Sequence, residues 1–213
     1  MSAQSVSGKA ASPSAKPARG PGAPRQAPRQ VRIIGGQWRK SVLPVADRPG
    51  LRPTPDRVRE TLFNWLGQDL EGWRVLDAFA GSGALGFEAA SRGAAQVLLL
   101  EQDPALVSSL QGSRTRLKAD TLRVQRADAL AWMRAAPAEA LELVLLDPPF
   151  AAGVGEAALA AAARLVVPGG FVYLETGEPF QGPVPDGLKL YRSGRAGAVH
   201  SALFQRESVH CAP

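Results

Sequence analysis

A carboxylate, two consecutive prolines and an aromatic ring, Asp147-Pro148-Pro149-Phe150, close the apolar run Leu141-Glu142-Leu143-Val144-Leu145-Leu146, which reads as a buried strand. Two prolines withhold two backbone N–H donors and stiffen the chain. Their carbonyls still accept hydrogen bonds, Asp147 adds another acceptor, and Phe150 offers a flat face. Such a set suits a planar group bearing an NH2, for example the amino edge of a nucleobase. A rigid strand-ending turn with a capping Asp accounts for the same four residues, so the surrounding elements must decide.

A second chemical constellation is Val75-Leu76-Asp77-Ala78-Phe79-Ala80-Gly81-Ser82-Gly83-Ala84-Leu85-Gly86, a strand running into a glycine loop and then a helix. Gly81, Gly83 and Gly86 match GxGxxG, and Glu101 lies twenty residues after Gly81 at the end of the next strand. Taken literally, this is the dinucleotide fingerprint. Asp77, however, would face the two charges of a pyrophosphate, at a Coulombic cost in a partly dry site. The same acid suits a ligand with a cationic amine, and S-adenosylmethionine has one. The glycines would let the backbone approach its methionine part, with the helix N-terminus available to its carboxylate. Glu101 suits the ribose hydroxyls, and Asp128, after the third strand, suits the adenine amino group. Asp128 fits equally well as the N-cap of the following helix, and Glu101 as a solvated strand end. Three acids at three successive strand ends match the place where open α/β sheets bind ligands.

These groups need a scaffold, and the alternation after Gly72 supplies it. Strands are expected near 74–79, 96–101, 121–126, 142–147, 170–175, 188–193 and 198–205, with helices near 83–92, 104–117, 128–136 and 155–166. Such alternation implies a parallel sheet covered on both faces. Ser193-Gly194-Arg195-Ala196-Gly197 is too short for a crossover, so the last two strands form an antiparallel hairpin. Upstream, Val31–Ile34 and Gln37–Val45 read as two extended segments around Gly35-Gly36. A helix then starts with Thr54 as N-cap, Pro55 as first helical residue and Asp56 complementing the dipole. Its apolar face is Val58, Leu62, Trp65 and Leu66.

Charge is graded along the chain. Residues 1–30 carry +5 with no acid, residues 31–60 carry +4, and residues 61–213 carry −3. The first thirty, with five prolines and almost no large apolar side chain, are expected to be a disordered basic arm. Their acid-poor composition also matches a transit peptide, but prolines every few residues would break its helix. A basic end suggests a polyanionic partner. Arg32, Arg39, Lys40, Arg52, Arg57 and Arg59 are the candidates for phosphate contacts, although Arg57 and Arg59 also suit pairing with Glu60 or with site acids. The single cysteine, Cys211, and two histidines, His200 and His210, argue against a disulfide framework and a metal centre. No run reaches the length of a membrane span, and Met1-Ser2-Ala3-Gln4 leads into no secretory core. A cytoplasmic protein is expected.

Residues 73–205 resemble the class I S-adenosylmethionine-dependent methyltransferases. Asp77-Ala-Phe-Ala-Gly81-Ser-Gly83 is similar to their motif I, and Asp147-Pro-Pro-Phe150 to the motif of enzymes that methylate amino nitrogens. Arg32-Ile33-Ile34-Gly35-Gly36, Arg52-Pro53-Thr54 and Arg57-Val58-Arg59-Glu60-Thr61-Leu62-Phe63-Asn64-Trp65-Leu66 extend the match to about 31–207 and resemble the RsmD family. The resemblance implies a Rossmann-like α/β fold: a seven-stranded, mostly parallel sheet with an antiparallel C-terminal hairpin. It divides the chain into a tail (1–30), an RNA-binding extension and helix (31–70), a catalytic domain (71–207) and a short tail (208–213). It places Asp77, Phe79, Gly81, Gly83, Glu101, Asp128 and Ala129 around S-adenosylmethionine, and gives Asp147, Pro148, Pro149 and Phe150 to catalysis. The implied activity is methylation of a guanine N2 in 16S ribosomal RNA; an assembling small subunit as substrate and a monomeric enzyme are the default expectations. A DNA adenine-N6 methyltransferase shares the amine motif but needs a target-recognition domain for which no segment is long enough. An NAD-dependent oxidoreductase leaves Asp147–Phe150 unexplained. A non-enzymatic RNA-binding protein leaves the strand-end acids unexplained.

Overall fold

The computed structural model describes residues 1, 30–46, 54–149 and 153–208. Residues 2–29, where the basic arm is expected, lie outside those described. The chain begins with a small antiparallel ladder, β1 (Gln30–Arg32) and β2 (Val42–Pro44), followed by α1 (Asp56–Trp65). The main sheet and its helices follow as β3 (Arg74–Asp77), α2 (Ala84–Ser91), β4 (Gln96–Glu101), α3 (Pro104–Leu117), β5 (Leu122–Arg126), α4 (Ala129–Ala135), β6 (Leu141–Leu146), α5 (Val154–Ala163), β7 (Val166–Thr176), β8 (Leu188–Ala196) and β9 (Val199–Arg206).

The sheet order is β5-β4-β3-β6-β7-β9-β8. β3 to β7 pair in parallel, and β9 runs antiparallel between β7 and β8. The expected doubly wound sheet and closing hairpin are therefore present. Strands buried on both faces need nearly continuous apolar sequence, which Leu143–Leu146 and Val97–Leu100 supply. One face carries α1, α2 and α3 over Val75, Leu99, Leu143, Leu145, Tyr173 and Leu203. The other carries α4 and α5 over Leu76, Leu100, Val144, Leu146, Val172 and Leu174.

Three local expectations change. Thr54 does not cap α1: Pro55 occupies the N-cap without a side-chain bond, and the Thr54 hydroxyl lies 3.5 Å from Asp147 Oδ2 instead. The strand expected near 170–175 starts earlier, at Val166, so Pro168-Gly169-Gly170 lies inside β7. Gly169 adopts φ +82°, the register with β6 shifts there, and Pro168 is exposed, as a bulge allows. The extended segments around Gly35-Gly36 shrink to three residues each. The loop between them is pinned to the end of α2 by Gln37 N–H to Ser91 O (2.8 Å), Trp38 N–H to Ser91 Oγ (2.9 Å) and Ser91 Oγ to Gly35 O (2.6 Å). Gly36 is required there, because its φ is +71° and a Cβ would come within 1.8 Å of Ser91 O.

The N-terminal segment shares the core of the sheet rather than forming its own. Ile33, Leu43, Val58, Leu62, Phe63 and Leu66 pack in one cluster with Val75 and Leu85. Its polar fastening is Glu88, wholly buried in the otherwise apolar α2. The carboxylate accepts from Ile34 N (2.9 Å), Gly35 N (2.7 Å), Arg59 Nη1 (3.1 Å) and Arg92 Nε (2.9 Å). Removing one partner of a buried charge pair leaves the other unpaired, at a cost of about 3–5 kcal/mol. Glu88→Ala is accordingly expected to lower unfolding free energy by that order in chemical denaturation.

Candidate active site

A cavity of about 1000 Å³ opens at the C-terminal ends of β3, β4, β5 and β6, at the upper end of the size usual for small-molecule sites, roughly 300–1000 Å³. Its walls include Asp77, Phe79, Gly81, Glu101, Asp128, Ala129, Asp147, Pro148 and Pro149. The chain's two chemical constellations therefore meet in one space.

Each acid is held by backbone geometry. Asp77 ends β3 and accepts from Gly86 N at 2.9 Å, and Phe79 N–H donates to it as well. Gly86 is glycine because a Cβ would lie 3.0 Å from Asp77 Oδ2 and 3.1 Å from Leu99. The third glycine of the motif thus brings α2 against the sheet. Gly83 adopts φ +79° as the N-cap of α2, and a Cβ there would meet Leu110 at 2.6 Å. Glu101 ends β4 and binds the glycine loop through Gly81 N (2.9 Å), together with Gln102 N (2.7 Å) and Asp103 N (2.9 Å). Asp128 caps α4 through Ala131 N (2.7 Å) and accepts from Gln102 Nε2 (2.6 Å). It is thus the N-cap as well as a wall of the cavity.

The electrostatics are unusual on the amine side. Burial raises the Asp77 carboxyl to about 7, with Asp147 and Glu101 adding to the shift against the Gly86 bond. Burial raises Asp147 to about 6, opposed by the Thr54 hydroxyl. Thr54 is itself buried, and it lines the cavity.

Among the phosphate candidates, Arg32, Arg39, Lys40 and Arg57 are exposed. Arg59 is not. It is fully buried, and its guanidinium donates to Thr54 O (3.3 Å), Glu88 Oε2 (3.1 Å), Arg32 O (2.8 Å) and Asp56 Oδ1. It is a structural tie and has no donor directed to solvent RNA. Arg52 and Phe150 lie outside the described residues. Reading by motif missed Thr54 as a site residue, together with Glu175 and Tyr173 behind Asp147. Glu175 ends the apolar run of β7, so a fourth strand-end acid was the available signal.

A family model described as "Conserved hypothetical protein 95" matches residues 31–205. The chain belongs to that family. Over 186 residues it is 44% identical to ribosomal RNA small subunit methyltransferase D of Escherichia coli (strain K12), covering 84% of this chain and 91% of that one. The protein of the same name from Haemophilus influenzae is 38% identical, over 83% and 94%. The solved Escherichia coli protein yhhF superposes with a TM-score of 0.76 at 41% identity, over 84% of this chain and 99% of that one. The RsmD resemblance and the Rossmann-like class I fold thus hold for this chain.

Asp77 links the site to stability. Its carboxyl is raised in the folded state, so the native protein binds the proton more tightly than the unfolded chain does. Its contribution is complete below the ordinary Asp value and is lost as pH rises towards about 7. The unliganded protein is therefore expected to lose a few kcal/mol across that window. Asp77→Asn should flatten the decline in denaturation midpoint against pH. The slope is the readout, because the amide also loses the Phe79 bond.

Proposed function

We propose that this chain transfers the methyl group of S-adenosylmethionine to the exocyclic N2 of a guanine in 16S ribosomal RNA, in an assembling small subunit. The observation that carries the reading is one cavity that joins the Asp77–Ser82 loop, Glu101 and Asp128 to Asp147-Pro148-Pro149. The relatives' name, ribosomal RNA small subunit methyltransferase, supports the substrate class.

The residues present fit the cofactor. Asp77 would take its amine, Glu101 its ribose hydroxyls, and Asp128 with Ala129 its adenine edge, while Gly81 leaves room for the backbone to approach; Gly83 packs against Leu110 and Phe87 and does not line the cavity. Bound there, the cofactor supplies an electrophilic methyl on a sulfonium. Positioning by the protein accounts for the rest. A base amine is a poor nucleophile, because its lone pair is delocalised into the ring. Asp147 and the Pro148 carbonyl accept its two N–H bonds and turn the lone pair outward. Phe150, assigned from the motif alone, would stack on the base. Once nitrogen has gained its fourth bond, its proton passes to the Asp147 carboxylate. The base must be unpaired or flipped out to reach this edge.

Methyl-labelled cofactor offered with naked 16S rRNA, partly assembled small subunits and duplex DNA tests the assignment. Label is expected in the ribosomal RNA at guanine N2, and label in DNA alone would refute the assignment. Transfer needs anionic Asp147, so the rate should fall as pH drops through about 6. Asp147→Asn should lose transfer by about 100-fold or more, with little change in cofactor affinity.

Arg32, Arg39, Lys40 and Arg57 are proposed to hold the RNA backbone. Replacing Arg39 and Lys40 with Glu should weaken RNA binding without sequence preference. It should also lower the slope of log affinity against log salt by about one per contact removed. An unchanged slope in filter binding would place the RNA elsewhere.

A further inference from the structure

Behind Asp147 lies a carboxyl that the mechanism above does not use. Glu175 is 2% exposed near the end of β7 and does not line the cavity. The β6–β7 register pairs Leu145 with Tyr173 and Leu146 with Leu174. One step further, Asp147 and Glu175 stand side by side. Residues two apart share a face of a sheet, so Tyr173, Glu175 and Asp147 all lie on the face that carries α1, α2 and α3, as does Asp77, which pairs with Leu145. The groups facing Glu175 from neighbouring elements are Asp147 after β6, Asp77 on β3, Tyr173 on β7 itself, Ser201 on β9 and Thr54 before α1. Tyr173 Oη donates to Glu175 Oε1 at 3.1 Å. Thr54 hydrogen-bonds towards both carboxyls. Among the described residues, no cationic side chain is bonded to Asp77, Asp147 or Glu175, and Arg59 is committed to Glu88, Asp56 and two carbonyls.

Two adjacent carboxyls without a cation do not both ionise. The outer one faces a cavity open to water and the inner one is sealed, so the outer loses its proton first. We propose that Glu175 is a positioning residue that, fastened by Tyr173, stays a neutral carboxylic acid behind Asp147 and, through Thr54, holds Asp147 as the anion presented to the substrate amine. Burial and the Asp147 charge both push the Glu175 proton towards tighter binding, in keeping with that role. Glu175 transfers no proton in the reaction. The amine proton goes to Asp147, and Glu175 fixes where that carboxylate points and keeps a second negative charge from forming beside it. The inference rests on the amine-methylation reading for its purpose, but the neutral acid is measurable without RNA.

Infrared difference spectra of the whole protein at neutral pH should show a protonated-carboxyl band that Glu175→Gln removes, and its absence from the wild type would overturn the proposal. In methyl transfer to ribosomal RNA, Glu175→Gln keeps the neutral hydrogen-bonding group. It should keep kcat within about twofold and leave the acid limb of the pH profile in place. Glu175→Leu should lower kcat by at least about tenfold with cofactor KM unchanged, because Asp147 loses its support. If Glu175→Leu does not fold, Tyr173→Phe stands in for it, with a smaller loss of kcat expected. A Gln variant as impaired as Leu, or an acid limb displaced in Gln, would show that the charge matters and would refute the neutral acid. Full activity in Leu or in Tyr173→Phe would make the cluster packing only. If the wild type gives no label in RNA, the functional reading fails instead, and the infrared band still decides the protonation state.

Discussion

The ion pair between Arg59 and Glu88 organises everything around it. Both side chains are wholly buried, and neither partner could be left alone there. Glu88 satisfies the backbone of Ile34 and Gly35, and Arg59 satisfies the carbonyls of Arg32 and Thr54. One contact therefore fixes the first ladder, the start of α1 and the helix that follows the glycine loop. Because Arg59 holds the Thr54 carbonyl, the Thr54 hydroxyl is placed beside Asp147. The N-terminal segment is thus part of the active site's frame as well as its basic flank.

A parallel sheet gathers chemistry for a geometric reason. Every strand from β3 to β7 ends at the same edge, so acids that close successive apolar runs converge even though they are far apart in sequence. Asp77, Glu101, Asp147 and Glu175 follow that rule. The electrostatic consequence differs along the edge. Glu101 is surrounded by backbone N–H groups, whereas Asp77 and Asp147 are raised by burial among like charges. The amine and sulfonium of the proposed S-adenosylmethionine would supply the charge that this edge lacks.

Much of this was legible in the sequence, because apolar runs with terminal acids and a glycine loop report periodicity and turn chemistry directly. The closing hairpin followed from a connection too short to cross the sheet. What escaped were interactions between residues distant in sequence. Thr54 and Pro55 have the form of a helix start, and only the approach of β6 gives the Thr54 hydroxyl a better partner than its own helix. Arg59 has the spacing of a surface cation on an amphipathic helix, yet a buried acid 29 positions on draws it inward. Glu88 itself was detectable, as an unexplained charge in an apolar helix. The β7 bulge at Gly169 depends on its neighbour's register, which sequence periodicity does not encode.

The strand order also sets a condition on how the protein comes into being. β9 is the last of the described strands but second from the edge, hydrogen-bonded to β7 on one side and β8 on the other. A nascent chain emerging residue by residue can form β3 to β7 early, but β8 has no place until the final strand arrives between them. Ser201, opposite Glu175, comes in on that strand. The carboxyl cluster behind Asp147 is therefore sealed from water only once β9 has joined the sheet, so a strand synthesised after the whole parallel sheet completes the interior of the site.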